Sequence, residues 1–402
     1  MKIHFIGIGG IGVSALAQYY LAKGHKISGS DLVSSEITQA LKKKGVKIRI
    51  GPHYSKNILK KFDLVVYSPA VRDIQSTAHI KSYPEALGEL TKKYLTIAVS
   101  GTHGKSTVTV MIGLILIKAG FDPTVIVGTK VKEFNNSNCR VGKSKYLVIE
   151  ADEHFASFLN YWPKVIVITN IEKDHLDYYK NINNMLKAYR KYISHLPKDG
   201  ILITDKSTDK KEVKKLRKIL KVPGEHNVSN ALMALTAARS LKIPDKISYQ
   251  ALSSYQGAWR RFEVRKKGQL TIVSDYAHHP TEITVTLKAA REKWPKKEIW
   301  CVFQPHQYQR THYLFNDFVK VFSRTPIDKV IITDIYDVAG RENKNFKKKV
   351  NSEKLVKAIK NPKVIYLPKK KITSYLKNNL QSREVIIMMG AGDIYEVDKA
   401  LK

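Results

Sequence analysis

The residues with the clearest chemical potential lie in one short segment, Ser100–Thr107, where two glycines precede a lysine and two hydroxyl side chains. The apolar, β-branched run Leu95–Val99 comes before this segment, and an apolar helical pattern follows it. A strand, a glycine turn and the start of a helix form a phosphate cradle, because backbone N–H groups and the helix N-terminus attract anions. Lys105 would then reach the terminal phosphates, and Ser106 would bind Mg²⁺. An ordinary strand-to-helix turn is the alternative, since Val99 stands where the common P-loop pattern begins with glycine.

Two further strand ends carry groups that suit metal ions. Glu150 opens an acid-rich turn directly after the predicted strand Tyr146–Ile149. A carboxylate at the carboxyl end of a parallel strand, beside a phosphate loop, is a usual Mg²⁺ ligand, and the alternative is a solvated turn. His175 follows the next predicted strand, Lys164–Thr169, and indicates a second metal ligand. The alternative there is a capping Asn170 with a surface histidine.

A second glycine-rich loop follows the first predicted strand. Gly7, Gly9, Gly10 and Gly12 precede a helical pattern, and Asp31 ends the second predicted strand. Taken alone, this spacing is the dinucleotide-binding fingerprint, with Asp31 placed for a ribose hydroxyl. An NAD(P)-dependent oxidoreductase therefore stays open as an interpretation. The safer inference is a diphosphate site at a helix N-terminus, which any nucleoside diphosphate would satisfy.

Polar clusters in the second half of the chain indicate a lid over a nucleotide. Arg261 would neutralise phosphate charge, and Asp275 is a strand-end acid suited to a ribose. Asn227 and Asn230 lie three residues apart and share one helix face, where amides suit the edge of an adenine. Plain N-capping is the alternative for these two residues. Two adjacent histidines that follow Asp275 lack cysteine or acidic partners, so we expect no zinc there.

Alternating strand and helix patterns predict three α/β domains, at residues 1–94, 95–255 and 256–402. The predicted strands are Lys2–Ile6, Lys26–Ser30, Leu64–Tyr67, Leu95–Val99, Tyr146–Ile149, Lys164–Thr169, Leu270–Val273, Ile299–Phe303, Lys329–Thr333 and Glu384–Met388. The predicted helices include Ser14–Lys23, Glu36–Lys44 and Val228–Ser240. The charged segment Asp205–Val222 is expected at the surface, and Arg341–Val350 is predicted to be a lysine-rich loop.

The composition indicates a globular protein, because 43% of the 402 residues are hydrophobic. The two cysteines, Cys139 and Cys301, lie far apart, so we expect no disulfide framework and a reducing cytoplasm. The longest apolar run, Val110–Ile117, is too short to span a bilayer. The net charge is +35, but the lysines are scattered. We therefore expect no nucleic-acid partner, and a positive field that suits small polyanionic substrates.

Taken in order, these segments resemble the Mur ligases over nearly the whole chain. The motifs that carry the resemblance are His4–Gly10, Gly101–Thr107, Glu150–Glu153, Thr169–His175, His226–Asn230, Arg260–Phe262, Tyr276–Thr281, Phe303–His306 and Gly390–Ile394. The resemblance implies a Rossmann-like UDP-sugar domain, a central P-loop-type ATPase domain with a mostly parallel sheet, and a C-terminal Rossmann-like domain for the incoming amino acid. It also implies that Gly7–Gly12 holds a UDP diphosphate rather than NAD.

The implied activity is an ATP- and Mg²⁺-dependent ligation in peptidoglycan precursor synthesis, by a cytoplasmic monomer or homodimer. The carboxylate of UDP-N-acetylmuramate is phosphorylated, and an amine then displaces phosphate. The resemblance is nearest to the members that add L-alanine, and a recycling ligase that adds a preformed tripeptide is the alternative. Gln307 stands where relatives commonly carry arginine, and Glu153 is followed by an uncommon His154-Phe155, so the acceptor's identity stays open.

The same resemblance assigns residues to roles. Catalysis would use Lys105, Glu150 and His175, and the metal ligands would be Ser106, Glu150 and His175. ATP would be bound by Gly101, Thr102, His103, Gly104, Lys105, Ser106, Thr107, Asn227, Asn230, Arg261 and Asp275. The UDP-sugar would be held by Gly9, Gly10, Gly12, Asp31, His53, Ser68 and His103. The acceptor site would contain Tyr276, His278, His306 and Arg310.

Overall fold

The computed structural model describes residues 1–402 except 54–58, 72, 73, 75, 205–208, 338–344, 382 and 402. The chain divides into two compact units. Unit 1 comprises Met1–Glu172, Ile182–Ile219 and Ser229–Gln256, and unit 2 comprises Lys173–Asn181, Leu220–Val228 and Gly257–Lys402. Two sheets lie in unit 1 and a third lies in unit 2, which agrees with the predicted α/β class.

The described strands are β1 (Lys2–Ile6), β2 (Lys26–Asp31), β3 (Lys47–Ile50), β4 (Leu64–Tyr67), β5 (Ile80–Ser82), β6 (Leu95–Ser100), β7 (Thr124–Val131), β8 (Ser137–Arg140), β9 (Tyr146–Glu150), β10 (Val165–Ile168), β11 (Ile201–Ile203), β12 (Glu263–Lys267), β13 (Leu270–Asp275), β14 (Ile299–Phe303), β15 (Lys329–Ile332), β16 (Val364–Tyr366) and β17 (Val385–Met389). The described α-helices are α1 (Ile11–Ala22), α2 (Glu36–Lys43), α3 (Tyr83–Thr91), α4 (Lys105–Lys118), α5 (Leu176–Tyr179), α6 (Ile182–Ile193), α7 (Lys210–Ile219), α8 (Glu225–Ser240), α9 (Asp245–Ser254), α10 (Pro280–Lys293), α11 (Tyr308–Tyr313), α12 (Phe315–Ser323), α13 (Asn345–Lys349), α14 (Ser352–Ile359) and α15 (Lys369–Asn379). Short 3₁₀ segments are Lys132–Phe134, His154–Asn160 and Ile394–Ala400.

The first sheet is parallel throughout, in the order β3-β2-β1-β4-β5. The predictions of β1, β2 and β4 are confirmed, and α1 begins at Ile11, earlier than the apolar pattern indicated. Strands β3 and β5 were not predicted, because they are short edge strands with no fully buried side chain to create a pattern. The carboxyl ends of the inner strands therefore carry the glycine loop and the residues that follow β2 and β4.

The second sheet has the order β11-β10-β6-β9-β7-β8, with β6 central and β8 antiparallel to β7. The remaining neighbours pair parallel, as predicted. Helix α4 follows β6 and is buried continuously from Ser106 to Leu116. A helix buried on all sides reads as a continuous apolar run, which explains why its sequence shows little amphipathic pattern.

One buried amide joins the two sheets of unit 1. Asn138 on β8 donates from Nδ2 to the carbonyl oxygen of Ile11 and, at 2.9 Å, to Ser14 Oγ. Its Oδ1 accepts from Gln18 Nε2 at 2.6 Å. Both amide hydrogens and the amide oxygen are thus bonded to α1, so Asn138 anchors the β7–β8 hairpin of the second sheet on α1, which follows the first strand of the first sheet.

The third sheet has the order β12-β13-β17-β14-β15-β16, with β12 antiparallel to β13 and the other neighbours parallel. Strands β13, β14 and β17 are buried along their whole length, as parallel strands covered on both faces should be. Helices α10, α12 and α14 cover one face, and α15 with the last 3₁₀ segment covers the other.

Two expectations for charged segments have different outcomes. The prediction of a loop over Arg341–Val350 is wrong for Asn345–Lys349, which form α13, and 341–344 lie outside the described residues. This helix has no buried residue, so its sequence has no apolar periodicity that could predict a helix. In the other segment, α7 exposes most of its lysines and buries Leu216, as expected of a surface helix, and residues 205–208 are not described.

No helix in the described part of the chain is both long and apolar enough to cross a membrane.

Candidate active site

The phosphate loop runs from the end of β6 to the start of α4, as predicted. Gly101 and Gly104 have φ of +129° and +83°. A side chain at Gly101 would overlap Thr169 Oγ1, and one at Gly104 would overlap Asn230 Oδ1. Both positions need glycine for the backbone conformation and for the close approach of these neighbours. Helix α4 begins at Lys105 with no side-chain cap, so the N–H groups of its first turn suit an anion.

Thr169 and Asn170, just after β10, brace this loop. Asn170 Oδ1 accepts the His103 N–H at 3.0 Å, and its carbonyl oxygen accepts the Thr102 N–H at 3.0 Å. Asn170 Nδ2 and Thr169 Oγ1 both donate to the His103 carbonyl. The alternative interpretation of Asn170 as a helix cap is wrong, because His175 is the N-cap residue of the helix that follows.

Lys105 is held inside the loop by a buried carboxylate. Its Nζ donates to the Gly101 carbonyl at 2.7 Å and to Glu153 Oε2 at 2.9 Å. Burial by itself would lower the pKa of Lys105, but nearby carboxylates, Glu153 foremost, raise it above its usual value. Burial raises the pKa of Glu153 to about 7, although Lys105 acts to lower it. The lysine is therefore positively charged and already directed at an anionic group.

Ser106 and Glu150 meet at the end of β9, as predicted for two ligands of one metal ion. Ser106 Oγ donates to Glu150 Oε2 at 2.8 Å, and the Gly128 N–H donates to the same oxygen at 2.8 Å. Among the described residues, Glu150 Oε1 has no hydrogen-bond partner. A hydroxyl and a carboxylate with an unused oxygen are hard donors of the kind that Mg²⁺ prefers, so this pair fits such an ion.

The glycine loop after β1 is tied to Asp31. The Gly9 N–H donates to Asp31 Oδ2 at 2.8 Å, and a Cβ added at Gly9 would lie 2.9 Å from that oxygen. A Cβ at Gly12 would lie 2.8 Å from the Tyr83 ring. Gly10 is the N-cap residue of α1 and provides no capping side chain. These contacts hold the predicted diphosphate loop against the N-terminus of α1.

His53 and Ser68, the other predicted UDP-sugar residues, follow β3 and β4 at the same edge of the first sheet. His53 Nδ1 lies 2.9 Å from Ser30 Oγ, and burial lowers the pKa of His53 although Asp31 opposes this. A Cβ added at Gly7 would lie 2.9 Å from the Ser68 Cβ. The structure thus gathers these predicted residues around the glycine loop.

Asp174 is the buried centre of a second cluster, in unit 2. Its Oδ1 accepts from Arg310 Nε at 3.2 Å and from the His175 N–H at 2.7 Å. Burial would raise the pKa of Asp174, but Arg310 and the neighbouring histidines outweigh burial and hold it well below its usual range. Arg310 Nη1 donates to Gln307 Oε1 at 3.2 Å and lies 3.3 Å from His306 Nδ1. One carboxylate therefore orients a predicted metal ligand and a predicted acceptor residue.

Asp275 ends β13, and both of its carboxylate oxygens bind the backbone. Oδ2 accepts the Phe262 N–H at 2.7 Å, and Oδ1 accepts the Ala277 N–H at 2.7 Å. Burial raises the pKa of Asp275 to about 6, against the lowering effect of these hydrogen bonds and of Arg261. The Arg261 guanidinium lies 5.2 Å from the centre of the Tyr276 ring. Asp275 thus fixes the segment that carries both neighbouring site residues.

Arg260 is the more buried of the two adjacent arginines, 4% exposed. Its guanidinium lies 4.3 Å from the centre of the Tyr395 ring and 4.9 Å from that of Tyr276. It also donates to the carbonyl of Gly390, directly after β17, and burial lowers its pKa. Arg260 therefore anchors the start of the third domain on the carboxyl ends of β13 and β17.

The predicted acceptor residues lie together in unit 2. His278 Nδ1 is 3.1 Å from the Tyr276 carbonyl and 3.2 Å from Glu282 Oε2. The centres of the His278 and His306 rings lie 5.9 Å apart, and His306 stacks on Tyr336. With Arg310 beside His306, these side chains form one polar cluster at the ends of β13 and β14.

The predicted site residues divide between the two units. Unit 1 contains Gly9, Gly10, Gly12, Asp31, His53, Ser68, Gly101, Thr102, His103, Gly104, Lys105, Ser106, Thr107, Glu150 and Asn230. Unit 2 contains His175, Asn227, Arg261, Asp275, Tyr276, His278, His306 and Arg310. Asn227 and Asn230 both lie inside α8, so neither is its N-cap residue, and Asn227 Nδ2 donates to the Pro223 carbonyl at 2.7 Å.

Four supporting residues were not predicted: Glu153, Asn170, Asp174 and Arg260. Each lies in or beside a motif that the sequence analysis selected. The motif was predicted, but the contact that the residue makes was not. A strand-end position was the available signal for Glu153 and Asp174, because such acids often face a site. Nothing in the sequence distinguishes a buried Arg260 from an exposed one.

Comparison with known families gives three consecutive matches. The Mur ligase family, catalytic domain, matches residues 2–95; the Mur ligase middle domain matches residues 99–222; and the Mur ligase, glutamate ligase domain, matches residues 260–392.

Curated relatives and solved structures agree with these matches. The chain is 40% identical to the UDP-N-acetylmuramate–L-alanine ligase of Acetivibrio thermocellus, over 98% of this chain and 94% of the relative. It is 38% identical to the enzyme of that name from Clostridium novyi, over 98% and 96%. Its fold is similar to that of UDP-N-acetylmuramate-alanine ligase MurC from Thermotoga maritima, with a TM-score of 0.80 and 26% identity over 100% and 98% of the two chains. A murein peptide ligase from Psychrobacter arcticus shares the fold, with a TM-score of 0.69 and 23% identity over 100% and 98%.

Proposed function

This chain belongs to the Mur ligase family, and we propose that it joins L-alanine to the carboxylate of UDP-N-acetylmuramate at the expense of ATP, in peptidoglycan precursor synthesis. The observation that carries the proposal is the loop with Lys105 directed at an anion and the Ser106–Glu150 pair beside it. A dinucleotide oxidoreductase would need neither feature. The near-complete coverage of relatives that bear the alanine ligase name supports the choice of acceptor. The nucleotide substrates indicate a cytoplasmic reaction.

The first chemical step is phosphoryl transfer to a carboxylate. A carboxylate oxygen of the muramyl group attacks the γ-phosphorus of ATP, the bond to the β,γ-bridging oxygen breaks, and an acyl phosphate and ADP form. This step needs alignment and charge neutralisation more than covalent help from the protein. Lys105 would neutralise the β- and γ-phosphates, and the N–H groups at the start of α4 would hold them.

Ser106 and Glu150 would hold Mg²⁺, with His175 as a ligand of a second ion. The ion supplies charge neutralisation on the phosphate oxygens. The Gly128 N–H keeps the Glu150 carboxylate in place, and Asp174 fixes the His175 backbone. Both contacts would help to orient these ligands toward the ions.

The second step forms the amide. The amine of L-alanine attacks the acyl carbon, a tetrahedral intermediate forms and loses inorganic phosphate, and the amine nitrogen gives up a proton. The acceptor would be surrounded by Tyr276, His278, His306 and Arg310. Hydrogen bonds to Asp174 and Gln307 orient the Arg310 guanidinium. Gln307, which stands where relatives commonly carry arginine, would thus help to orient Arg310.

The remaining roles concern nucleotide binding. Asn227 and Asn230 would contact adenine, Arg261 the phosphates and Asp275 the ribose. Asp275 already gives both oxygens to backbone N–H groups, so a ribose would share a carboxylate that these bonds orient. Asp31, His53 and Ser68, with the glycine loop, would bind UDP, and His103 would lie near the muramyl end.

The test is phosphate release from ATP with Mg²⁺ and UDP-N-acetylmuramate, with each amino acid and the tripeptide L-alanyl-γ-D-glutamyl-diaminopimelate supplied in turn. We expect release only when the sugar nucleotide and L-alanine are both present, with a matching increase in the mass of the sugar nucleotide. Release with the tripeptide but with no single amino acid would show that the acceptor is the tripeptide, and the proposed mechanism would stand. No release with any acceptor, or nicotinamide turnover, would contradict the proposal.

A further inference from the structure

A chain of hydrogen bonds runs from the core of the first sheet to its carboxyl edge. His4 on β1 is wholly buried, with Nδ1 2.9 Å from Ser28 Oγ and Nε2 3.4 Å from Ser30 Oγ. Ser30 Oγ also lies 2.9 Å from His53 Nδ1. One serine hydroxyl thus connects two imidazole rings, and we name the set Ser28, His4, Ser30 and His53 the imidazole chain.

The hydroxyl of Ser30 couples the tautomers of the two rings. Burial lowers the pKa of His4 to about 4, and the nearby His53 lowers it further, so His4 is neutral at physiological pH. A neutral imidazole has one N–H donor and one acceptor nitrogen. Ser30 has one hydrogen, so it donates to one ring and accepts from the other. The protonated nitrogen of His4 therefore dictates that of His53.

Ser28 sets the direction of the imidazole chain. Within the part of the chain that the structure describes, Ser28 Oγ has His4 Nδ1 as its hydrogen-bond partner and no other. If His4 donated from Nδ1, the Ser28 hydrogen would have no acceptor. If Ser28 donates, the hydrogens of Ser28, His4 and Ser30 all have acceptors, and the one left over is that of His53 Nε2, at the carboxyl edge of the sheet where a ligand can accept it. His4 then donates from Nε2 to Ser30, and Ser30 donates to His53 Nδ1.

We infer that the imidazole chain fixes His53 in the tautomer that carries its hydrogen on Nε2, so that it offers a donor to an acceptor oxygen of the bound nucleotide. His4, Ser28 and Ser30 are thus positioning residues for the sugar-nucleotide site. That this site binds a sugar nucleotide rests on the proposed function. Among the described residues, His53 Nε2 has no hydrogen-bond partner, and the neighbouring Asp31 already binds Gly9. A nucleoside diphosphate suits this donor, because its phosphate, ribose and uracil oxygens are acceptors.

Nitrogen-15 NMR of the full chain with labelled histidine tests the tautomer directly, because protonated and unprotonated ring nitrogens have well-separated shifts. The His53→Gln variant identifies the His53 signals by their loss. In the ligand-free wild type we expect His53 to be protonated on Nε2. Ser28→Ala and Ser30→Ala should each give a mixture of tautomers at His53. Ser253→Ala is the matched control, since that exposed hydroxyl bonds only a backbone carbonyl of its own helix.

Titration with UDP alone tests the consequence for binding. Ser30→Ala should weaken UDP binding about 3- to 10-fold, the effect of one hydrogen bond, and Ser253→Ala should leave it unchanged. Protonation of His53 on Nδ1 in the wild type would overturn the inference. So would an unchanged tautomer and unchanged UDP affinity in Ser30→Ala. If the wild type bound no UDP, the proposed function would fail, and the tautomer of the free chain would still decide the inference.

Discussion

Lys105 Nζ lies 2.9 Å from Oε2 of Glu153, a carboxylate that solvent does not reach. Glu153 is thus the counter-ion of the lysine proposed to bind phosphate. An incoming γ-phosphate would share Lys105 with a carboxylate whose raised pKa lets it take up a proton near neutral pH. The pair links nucleotide binding to the charge state of one buried acid.

Removal of Lys105 should separate catalysis from sugar-nucleotide binding. Lys105→Ala should reduce turnover by roughly a thousandfold or more, because the loop would lose the cation proposed to neutralise the β- and γ-phosphates. UDP affinity should be nearly unchanged, since the diphosphate loop lies on a different sheet. Steady-state kinetics and UDP titration measure the two effects, and retained turnover would refute the phosphate-loop assignment.

Lys105→Ala should also destabilise the fold by about 3 kcal/mol, the typical effect of leaving one member of a buried ion pair. The double variant Lys105→Ala, Glu153→Gln should recover most of that free energy of unfolding and none of the activity. Urea unfolding of the three proteins checks this. Equal stability of the single and double variants would contradict the pairing.

The pKa of Glu153 predicts a pH dependence of stability. Because folding raises this pKa from 4.5 to about 7, the folded state binds the additional proton, and stability falls as pH rises between these values. Relative to Glu153→Gln, the wild type should therefore lose free energy of unfolding from pH 4.5 to about pH 7 and remain constant above it. Urea unfolding at closely spaced pH values measures the difference. A difference that grows in favour of the wild type would contradict the raised pKa.

Gly104 and Gly120 form a matched pair for testing the loop. Their φ values are +83° and +81°, but a Cβ at Gly104 would overlap Asn230, whereas one at Gly120 would meet nothing within 4 Å. Both alanine variants should lose about 1 kcal/mol of stability from backbone strain. Only Gly104→Ala should also lose ATP binding, which nucleotide titration would detect. Equal ATP affinity in the two variants would contradict the close packing of the loop.

The Ser106–Glu150 pair predicts a change in metal dependence. Ser106→Ala and Glu150→Gln should raise the Mg²⁺ concentration for half-maximal activity, with the larger effect for Glu150→Gln, because it removes the charged ligand. Asp152→Asn, an exposed neighbouring acid, should change it less. Activity measured over a Mg²⁺ series tests the order, and His175→Ala should likewise affect metal dependence more than ATP binding.

The Asp174–Arg310 pair should contribute to both stability and acceptor binding. Asp174→Asn should lower the free energy of unfolding by about 3 kcal/mol, because Arg310 would be left buried without its counter-charge. The control Asp317→Asn, which breaks the exposed pair with Lys320, should change it little. Since the folded pKa of Asp174 is depressed, its contribution should be present above pH 3.8 and decrease below it. The KM for L-alanine should rise in Asp174→Asn and not in the control.

Local patterns predicted most of the inner strands, because these combine a buried apolar run with a glycine or polar turn at the end, but the inner strand β7 was not predicted. The strands that flank Lys105 and Glu150 illustrate this, as does β14, which matches its predicted limits. Edge strands such as β3 have no buried side chain and gave no signal. The α13 helix has no apolar face, so its lysines indicated only a surface.

The site was predictable where spacing along the chain implies proximity in space. The phosphate loop, Glu150 and the first glycine loop belong to this class. The partners that orient them do not, because Glu153 to Lys105, Asn170 to His103 and Asp174 to Arg310 are contacts between distant segments. Burial of a charged side chain is a property of the assembled fold, which a single sequence does not display.

The amide of Asn138, bonded on every side to α1, has a consequence for substrate selection. It keeps the diphosphate loop at the start of α1 and the phosphate loop beyond β6 within one compact unit. If UDP is anchored at the first loop and ATP at the second, the distance between the two loops selects the length of the group that joins the UDP to the reacting carboxylate. An acid of the wrong length on the sugar nucleotide would miss the γ-phosphate, whatever its affinity for the glycine loop.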